Sequence, residues 1–184
     1  MIHTVIFDRD GVLSEQIPQP PEYGTGVGGA WRLEDFRIIP AAIDAVWYTH
    51  GRGLDMFVAT NQPYIAKGIM TSDVMYQMNA HLFEVLGISS ENVYFCPHSK
   101  ENNCACRKPK PGLLLAAAKE HGFSLDEAVM IGDRPSDILA GQNAGCAMTI
   151  LIGNNDQKTR DALDAVGAKP KYICSDVSCA VRLF

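Results

Sequence analysis

The sequence predicts an α/β fold, a doubly wound parallel sheet forming a single domain over residues 1–184. Three observations lead there. Short apolar runs alternate with helical patterns from one end of the chain to the other. The apolar runs end repeatedly in acids or small polar residues: Asp8 and Asp10, then Thr60 and Asn61, then Asp133 and Asp137. In an open α/β sheet those strand ends share one edge, which is where ligands bind.

The first strand is Val5-Ile6-Phe7, and the chain breaks at Gly11. Asp8 and Asp10 are two apart, so on an ideal strand they face the same way. Like charges that close repel unless a cation or a proton lies between them. From Ser14 to Phe36 the chain is rich in proline and glycine and reads as a long loop, a flap facing substrate. Gly24-Thr-Gly-Val-Gly-Gly29 matches G-x-G-x-x-G in form only. Its glycines follow prolines rather than a strand, and no helix start follows, so a dinucleotide site is rejected.

Pro40 opens a helix that Gly51 ends. Leu54 to Ala59 is a second strand, delivering Thr60, Asn61 and Gln62. A hydroxyl and amides there can donate to phosphate oxygens. Ile65 to Met70 reads as a linker. Thr71-Ser72-Asp73 caps a helix running to Leu86 and stopped by Gly87. Val93 to Phe95 is a third strand.

Next come Cys96-Pro-His98 and Cys104-Ala-Cys106, four soft or borderline ligands in one short polar stretch. Three thiolates and an imidazole suit tetrahedral zinc of the closed, structural type. Such a metal would clamp a loop that has little core of its own. Arg107-Lys108-Pro109-Lys110 follows directly. Arginine suits bidentate phosphate contact, and lysine acts as a point charge.

Leu113 to Gly122 begins an amphipathic helix, and Ser124-Leu-Asp-Glu127 reads as a capping box. Ala128 to Ile131 is a fourth strand, ending in Gly132-Asp133-Arg134-Pro135-Ser136-Asp137. Ile138 to Ala144 is helical, Ala147 to Ile152 a fifth strand, and 154 to 168 a charged helix. Tyr172-Ile-Cys174 is a final strand and Val177 to Phe184 a closing helical turn. Cys146, Cys174 and Cys179 read as small core residues.

Bulk properties narrow the function. The formal net charge of -5 argues against a general binder of nucleic acid or anionic membrane. No apolar run reaches the ~18 residues of a membrane span. The start of the chain goes straight into a strand pattern and lacks the marks of a signal peptide. The expected location is therefore cytoplasmic, where cysteines serve metal or redox roles more often than disulfides.

Together the strand ends offer an acidic cluster for a divalent cation, with neutral and cationic donors for an anion. Three carboxylates suit Mg²⁺, a hard ion. Carboxylates, Mg²⁺, lysine and threonine are the equipment of phosphoryl transfer. One carboxylate can attack phosphorus, and the other can protonate the leaving alkoxide and then deprotonate water.

This order of motifs resembles the haloacid dehalogenase (HAD) superfamily of phosphatases, whose fold is HAD-like and Rossmannoid. The resemblance covers nearly the whole chain and rests on Asp8-Arg-Asp-Gly-Val12, Thr60, Lys108 and Gly132-Asp133-x-x-x-Asp137. More narrowly, the chain looks like the branch holding heptose 1,7-bisphosphate and histidinol-phosphate phosphatases, through Asp-Arg-Asp-Gly, Thr-Asn-Gln, and a cysteine loop running into Cys-Arg-Lys-Pro-Lys. Val12 stands where the family usually has threonine, and the Ser14–Phe36 loop departs from the heptose enzymes. Ile65-Ala-Lys-Gly68 and Lys108 to Gly112 are similar to the heptose enzymes, and Gly132-Asp-Arg134 to the histidinol-phosphate ones.

The resemblance implies Asp8 as nucleophile, Asp10 as general acid/base, and Thr60 and Lys108 around the transferring phosphoryl group. It implies catalytic Mg²⁺ on Asp8, the Asp10 backbone carbonyl and Asp133, with Asp137 in support. It implies structural Zn²⁺ on Cys96, His98, Cys104 and Cys106, and substrate contacts from Asn61, Gln62, Arg107 and Arg134. The expected activity removes the 7-phosphate of D-glycero-D-manno-heptose 1,7-bisphosphate. The alternatives are a histidinol-phosphate phosphatase, a polynucleotide 3'-phosphatase-like enzyme, or an inactive zinc-stabilised module. The expected partner is a small phosphorylated sugar, with no nucleic acid and no membrane. A monomer without a large cap domain is expected, leaving an open site.

Overall fold

The computed structural model describes residues 1–21 and 25–184. Gly24, the first glycine of the Gly24–Gly29 run, lies outside the described residues. In chain order the strands are β1 (Thr4–Phe7), β2 (Ile17–Pro18), β3 (Val27–Gly28), β4 (Asp55–Asn61), β5 (Val93–Cys96), β6 (Ala128–Gly132), β7 (Met148–Ile152) and β8 (Tyr172–Cys174). Six of them form one sheet in the order β5-β4-β1-β6-β7-β8, with every pairing parallel. The chain builds outward from β1 to one side, then returns to build the other side. The reversal falls between β1 and β6, where such sheets open a crevice.

Both faces of the sheet are covered, so the central strands are apolar throughout. The burial alternates by face. Val5, Phe7, Val58, Val129 and Ile131 point into the larger core. There they meet α1 (Pro40–Gly51), α3 (Ser72–Leu86) and α7 (Val177–Ala180). Ile6, Phe57, Ala59 and Met130 point the other way, toward α4 (Gly112–His121) and α5 (Pro135–Ala144). A separate small cluster joins Ile138 and Leu151 to Leu163 of α6 (Gln157–Asp164).

The expected helix boundaries hold where capping chemistry is strong. The Thr71 hydroxyl accepts from the Val74 amide, and Gly87 closes α3 at a φ of 73°. Several elements differ from expectation. β4 continues through Thr60 and Asn61, because β5 pairs with it there, Thr60 to Phe95 and Asn61 to Cys96. A helical turn, α2 (Pro63–Ala66), with Pro63 at its start, occupies part of the expected linker. The charged helix spans only Gln157–Asp164, because Asp156 caps it at the Thr159 amide. The Ser124 hydroxyl turns to Asp126 instead of completing a capping box. Cys179 is exposed, not part of the core.

The stretch from Ser14 to Phe36 holds more order than a loop. β2 and β3 pair antiparallel, Ile17 with Gly28 and Pro18 with Val27, and a 3₁₀ turn covers Leu33–Asp35. Among the described residues nothing larger is inserted between β1 and α1, so this hairpin is the cover over the strand ends. No helix of the described residues is long and apolar enough to cross a membrane.

α5 lies close to the sheet through Gly141, where an added Cβ would stand 2.6 Å from Thr149 Cγ2 and 2.8 Å from Met130 Cβ. Helix propensity alone favours alanine there by about 1 kcal/mol, whereas overpacking a tight contact costs about 1–3 kcal/mol. Gly141→Ala is expected to lower the urea midpoint. A raised midpoint would show that α5 can move off the sheet at little cost.

Candidate active site

A cleft of about 460 Å³ opens over the C-terminal ends of β1 and β4, and its lining includes Asp8, Asp10, Thr60, Lys108, Arg134 and Asp137. Its floor is set by a single ammonium group. Lys108 Nζ lies 3.0 Å from Asp8 Oδ1 and 2.6 Å from Asp137 Oδ1, and donates to the Ala59 carbonyl at 2.6 Å. Lys108 enters from the loop before α4, and only 3% of it is exposed. Asn61 holds it there. The Asn61 side-chain amide donates to the Lys108 carbonyl at 3.1 Å, and its oxygen accepts from the Lys108 amide at 3.0 Å.

Asp8 is fixed by the Arg9 amide, which donates to Oδ1 at 2.7 Å. The Asp10 carboxylate accepts from Arg9 Nε at 2.9 Å, Arg9 Nη2 at 3.1 Å, the Ser14 hydroxyl at 3.1 Å and Gln62 Nε2 at 2.7 Å. Gln62 Nε2 also donates to Thr60 Oγ1 at 2.9 Å. The Thr60 hydroxyl therefore keeps its own hydrogen to offer elsewhere. Of the amides expected to meet substrate, both line the cleft, and both also position a neighbour: Asn61 holds Lys108, and Gln62 holds Asp10 and Thr60.

Asp133 closes the cluster from the end of β6. Its Oδ2 accepts from Gln16 Nε2 at 2.6 Å, and its buried Oδ1 has no hydrogen-bond partner. Asp8, Asp133 and Asp137 each present an oxygen within 4.8 Å of the others. An orphaned buried carboxylate oxygen beside another carboxylate fits a hard divalent cation. Asp137 is committed otherwise. Beyond Lys108, its Oδ2 accepts from the Arg134 amide at 2.9 Å at the start of α5. Arg134 itself donates to the Val27 carbonyl at 3.3 Å, and so ties the hairpin to the β6 end.

Beside the cleft, Cys96, His98, Cys104 and Cys106 come together as the sequence predicts. The sulfur–sulfur separations are 3.2, 3.4 and 3.5 Å, and His98 Nδ1 stands 3.3 Å from the Cys106 sulfur and 3.6 Å from that of Cys96. Bonds of ~2.3 Å from a tetrahedral zinc to sulfur place the sulfurs about 3.8 Å apart, so the set closes around such an ion with a small outward shift. The six cysteines form no disulfide. Arg107 leaves this cluster toward the cleft and donates to the His98 carbonyl at 3.2 Å.

Three residues that shape the site are not assigned by the sequence reading. Arg9 and Ser14 hold Asp10, and Gln16 holds Asp133. For Arg9 the signal is present, a guanidinium between two carboxylates in sequence. Ser14 and Gln16 lie in the proline-rich stretch and carry none.

Comparison with known proteins places this geometry. The HAD-hydrolase-like family model matches residues 105–180. A Helicobacter pylori protein named D-glycero-beta-D-manno-heptose-1,7-bisphosphate 7-phosphatase is 36% identical over 159 residues, 84% of this chain and 86% of the relative. The chain belongs to the HAD-like hydrolases. A Pasteurella multocida protein of the same name is 30% identical over 94% of this chain and 97% of its own length. In fold, this HAD-like chain is similar to a crystal structure of D,D-heptose 1,7-bisphosphate phosphatase from B. bronchiseptica complexed with magnesium and phosphate. The TM-score is 0.77 at 23% identity, covering 97% of this chain and 96% of that one.

The charges of this HAD-like site are set by depth. Burial pushes the Asp8 carboxyl up to about 8; Lys108 opposes the shift, while Asp137, Asp133 and Asp10 add to it. Burial and then the Asp137 charge push Asp133 up to about 6, against Arg134 and Lys108. For Lys108, burial works against the ammonium, but Asp137 and Asp8 outweigh it and hold its pKa above the usual value. A carboxyl raised in the folded state contributes stability that is full below its unfolded pKa near 3.8 and lost as pH rises through the folded value. The metal-free protein is therefore expected to lose stability as pH rises from about 4 to 8 through these two groups. A divalent cation that binds the charged forms is then expected to raise the melting temperature more at pH 8 than at pH 5. Thermal melts with and without Mg²⁺ at both values check this, and an equal shift at both would contradict it.

Proposed function

We propose that this chain is a Mg²⁺-dependent phosphomonoesterase that releases the 7-phosphate of D-glycero-D-manno-heptose 1,7-bisphosphate through an aspartyl-phosphate. The observation that carries the chemistry is Asp8 held at the end of β1 with Lys108 against one oxygen, in a cleft that Thr60 also lines. The substrate reading rests on the relatives, whose names specify that ester across most of this chain's length.

Asp8 Oδ1 is engaged by the Arg9 amide and Lys108, which leaves Oδ2 to attack phosphorus. As the Oδ2–phosphorus bond forms, the ester P–O bond breaks, and Asp10 in its acid form gives its proton to the departing alkoxide. A water then attacks phosphorus, Asp10 takes its proton, and inorganic phosphate leaves as Asp8 is regenerated. Lys108 and the Thr60 hydroxyl stabilise charge on the transferring oxygens. Asp8, Asp133 and the Asp10 carbonyl would hold Mg²⁺, which when bound supplies charge neutralisation and alignment of the phosphate. Asp137 acts by holding Lys108.

The cleft rim suits a second phosphate. Lys67, Lys100, Arg107 and Arg134 all line it. Arg107 is the cation best placed by the cysteine loop, and Arg134 the one nearest Asp133, at 4.0 Å. Zinc on Cys96, His98, Cys104 and Cys106 is the structural element behind Arg107. Thiolates in such a site fit a reducing compartment, in line with a cytoplasmic location.

Phosphate release from heptose 1,7-bisphosphate and from histidinol phosphate, side by side with Mg²⁺, tests the substrate. A strong preference for the bisphosphate is expected. Preference for histidinol phosphate would move the enzyme to that substrate and make Arg134 the informative residue. Asp8→Asn removes the nucleophile with little change of volume, and its turnover is expected to vanish with the fold intact. Full activity in that variant would sink the covalent mechanism. Cys104→Ala is expected to lower zinc content and melting temperature together; wild-type protein purified without zinc would remove the structural-metal reading.

A further inference from the structure

Arg9 is the largest fully buried side chain of the described residues, with no exposure at all. It therefore cannot touch a substrate in the cleft. Among the described residues its guanidinium has no carboxylate partner distant in sequence. It turns back on the next residue, placing Nε 2.9 Å from Asp10 Oδ1 and Nη2 3.1 Å from Oδ2, a bidentate clamp.

What surrounds the guanidinium is soft and apolar. Its carbon lies 5.1 Å from the centre of the Phe36 ring, and Nη1 stands 3.0 Å from the Met75 sulfur and 3.7 Å from that of Met78. Phe36 comes from the stretch before α1, and both methionines from the buried face of α3. Burying a cation among such groups is costly, and a methionine or leucine would fill the space at lower cost. The one strong interaction that offsets the cost is the clamp on Asp10. Ser14 and Gln62 complete the hold on the same carboxylate, and the Gly29 backbone closes the remaining side, where an added Cβ would stand 2.2 Å from Asp10 Oδ2.

We propose that Arg9 is a positioning residue for proton transfer: anchored on Phe36 and α3, it fixes the orientation from which the Asp10 carboxyl meets the leaving oxygen. This rests on the reading of Asp10 as the general acid. A carboxyl free to rotate spends less time aligned with the breaking bond, and alignment is a large part of what general acid catalysis contributes.

The test compares an alkyl ester, glycerol phosphate, with an aryl ester, p-nitrophenyl phosphate, whose leaving group departs without a proton. The constant read is kcat/KM, which covers the steps through formation of the phosphoenzyme. In Arg9→Met the alkyl value is expected to fall about tenfold or more and the aryl value by less than about threefold. Arg9→Lys is expected to recover part of the loss, and Ser14→Ala, which leaves the Arg9 anchor intact, to shift the ratio in the same direction by less. A ratio unchanged in both Arg9→Met and Ser14→Ala, while Asp10→Asn shifts it, overturns the proposal and leaves the acid role of Asp10 standing. A ratio unchanged in Asp10→Asn as well overturns both. If Arg9→Met does not fold, the ratio in Ser14→Ala and Arg9→Lys decides. Neither ester is a heptose, so the outcome does not depend on which sugar is the natural substrate.

Discussion

The buried ammonium of Lys108 is the constraint on which the rest of the site depends. Asp8 and Asp137 are nearly inaccessible to water and come from different elements, the end of β1 and the first turn of α5. Without a cation between them their charges could not both be kept, and burial alone already drives Asp8 toward its neutral form. Breaking such a set by removing one partner typically costs about 3–5 kcal/mol, because a charge is left buried and unpaired. The arrangement is thus stable only as a whole, and it fixes three pieces of chain at once: the end of β1, the start of α5, and the loop before α4. Asn61 then fixes the backbone of Lys108 to β4. The cysteine cluster immediately before Lys108 has a clear mechanical part, since it anchors the segment from the other side.

Much of this is legible in the sequence because the chemistry is carried by residues in short, strongly marked runs. An apolar strand ending in Asp8 and Asp10 has few bland explanations once Thr60 and Asp133 occupy equivalent ends and Lys108 follows the cysteine loop. The parallel sheet follows from the alternation of elements, and the capped helices follow from Thr71 and Gly87. The four zinc-type ligands are close in sequence and were bound to be close in space. What the sequence does not disclose is which partner each polar group chooses. Asn61 and Gln62 read as phosphate donors because amides at a strand end are free to be so. Only the extension of β4 against β5 turns them toward Lys108 and Asp10. Asp137 reads as support for a metal, and its role is decided by the distance to Lys108.

The proline- and glycine-rich stretch is where legibility fails for a physical reason. Two-residue strands have no periodicity to detect, so the β2–β3 hairpin leaves no pattern. Yet this stretch supplies Ser14, Gln16, Gly29 and the Val27 carbonyl, each in contact with the acidic cluster or with Arg134. Composition identifies it as a cover over the site, while the contacts make it part of the site's support.

Close approach explains two glycines around the acids. At Gly11, with a φ of 90°, an added Cβ would stand 2.5 Å from Asp133 Oδ2; at Gly29 it would meet the Asp10 carboxylate. Any side chain at either position would push an acid out of place, and at Gly11 it would also strain the backbone. The acids are therefore gripped from both sides, by donors with matching charge and by bare backbone that fits against them. A carboxylate held this way has little rotational freedom left to lose when substrate binds. The ordering is already present in the folded protein, and binding energy from the rest of the substrate can go to the transition state instead. On this view the hairpin over the strand ends and the buried arginine beneath Asp10 serve the same end as Lys108: each spends folding energy to set the direction of an acid before the phosphate arrives.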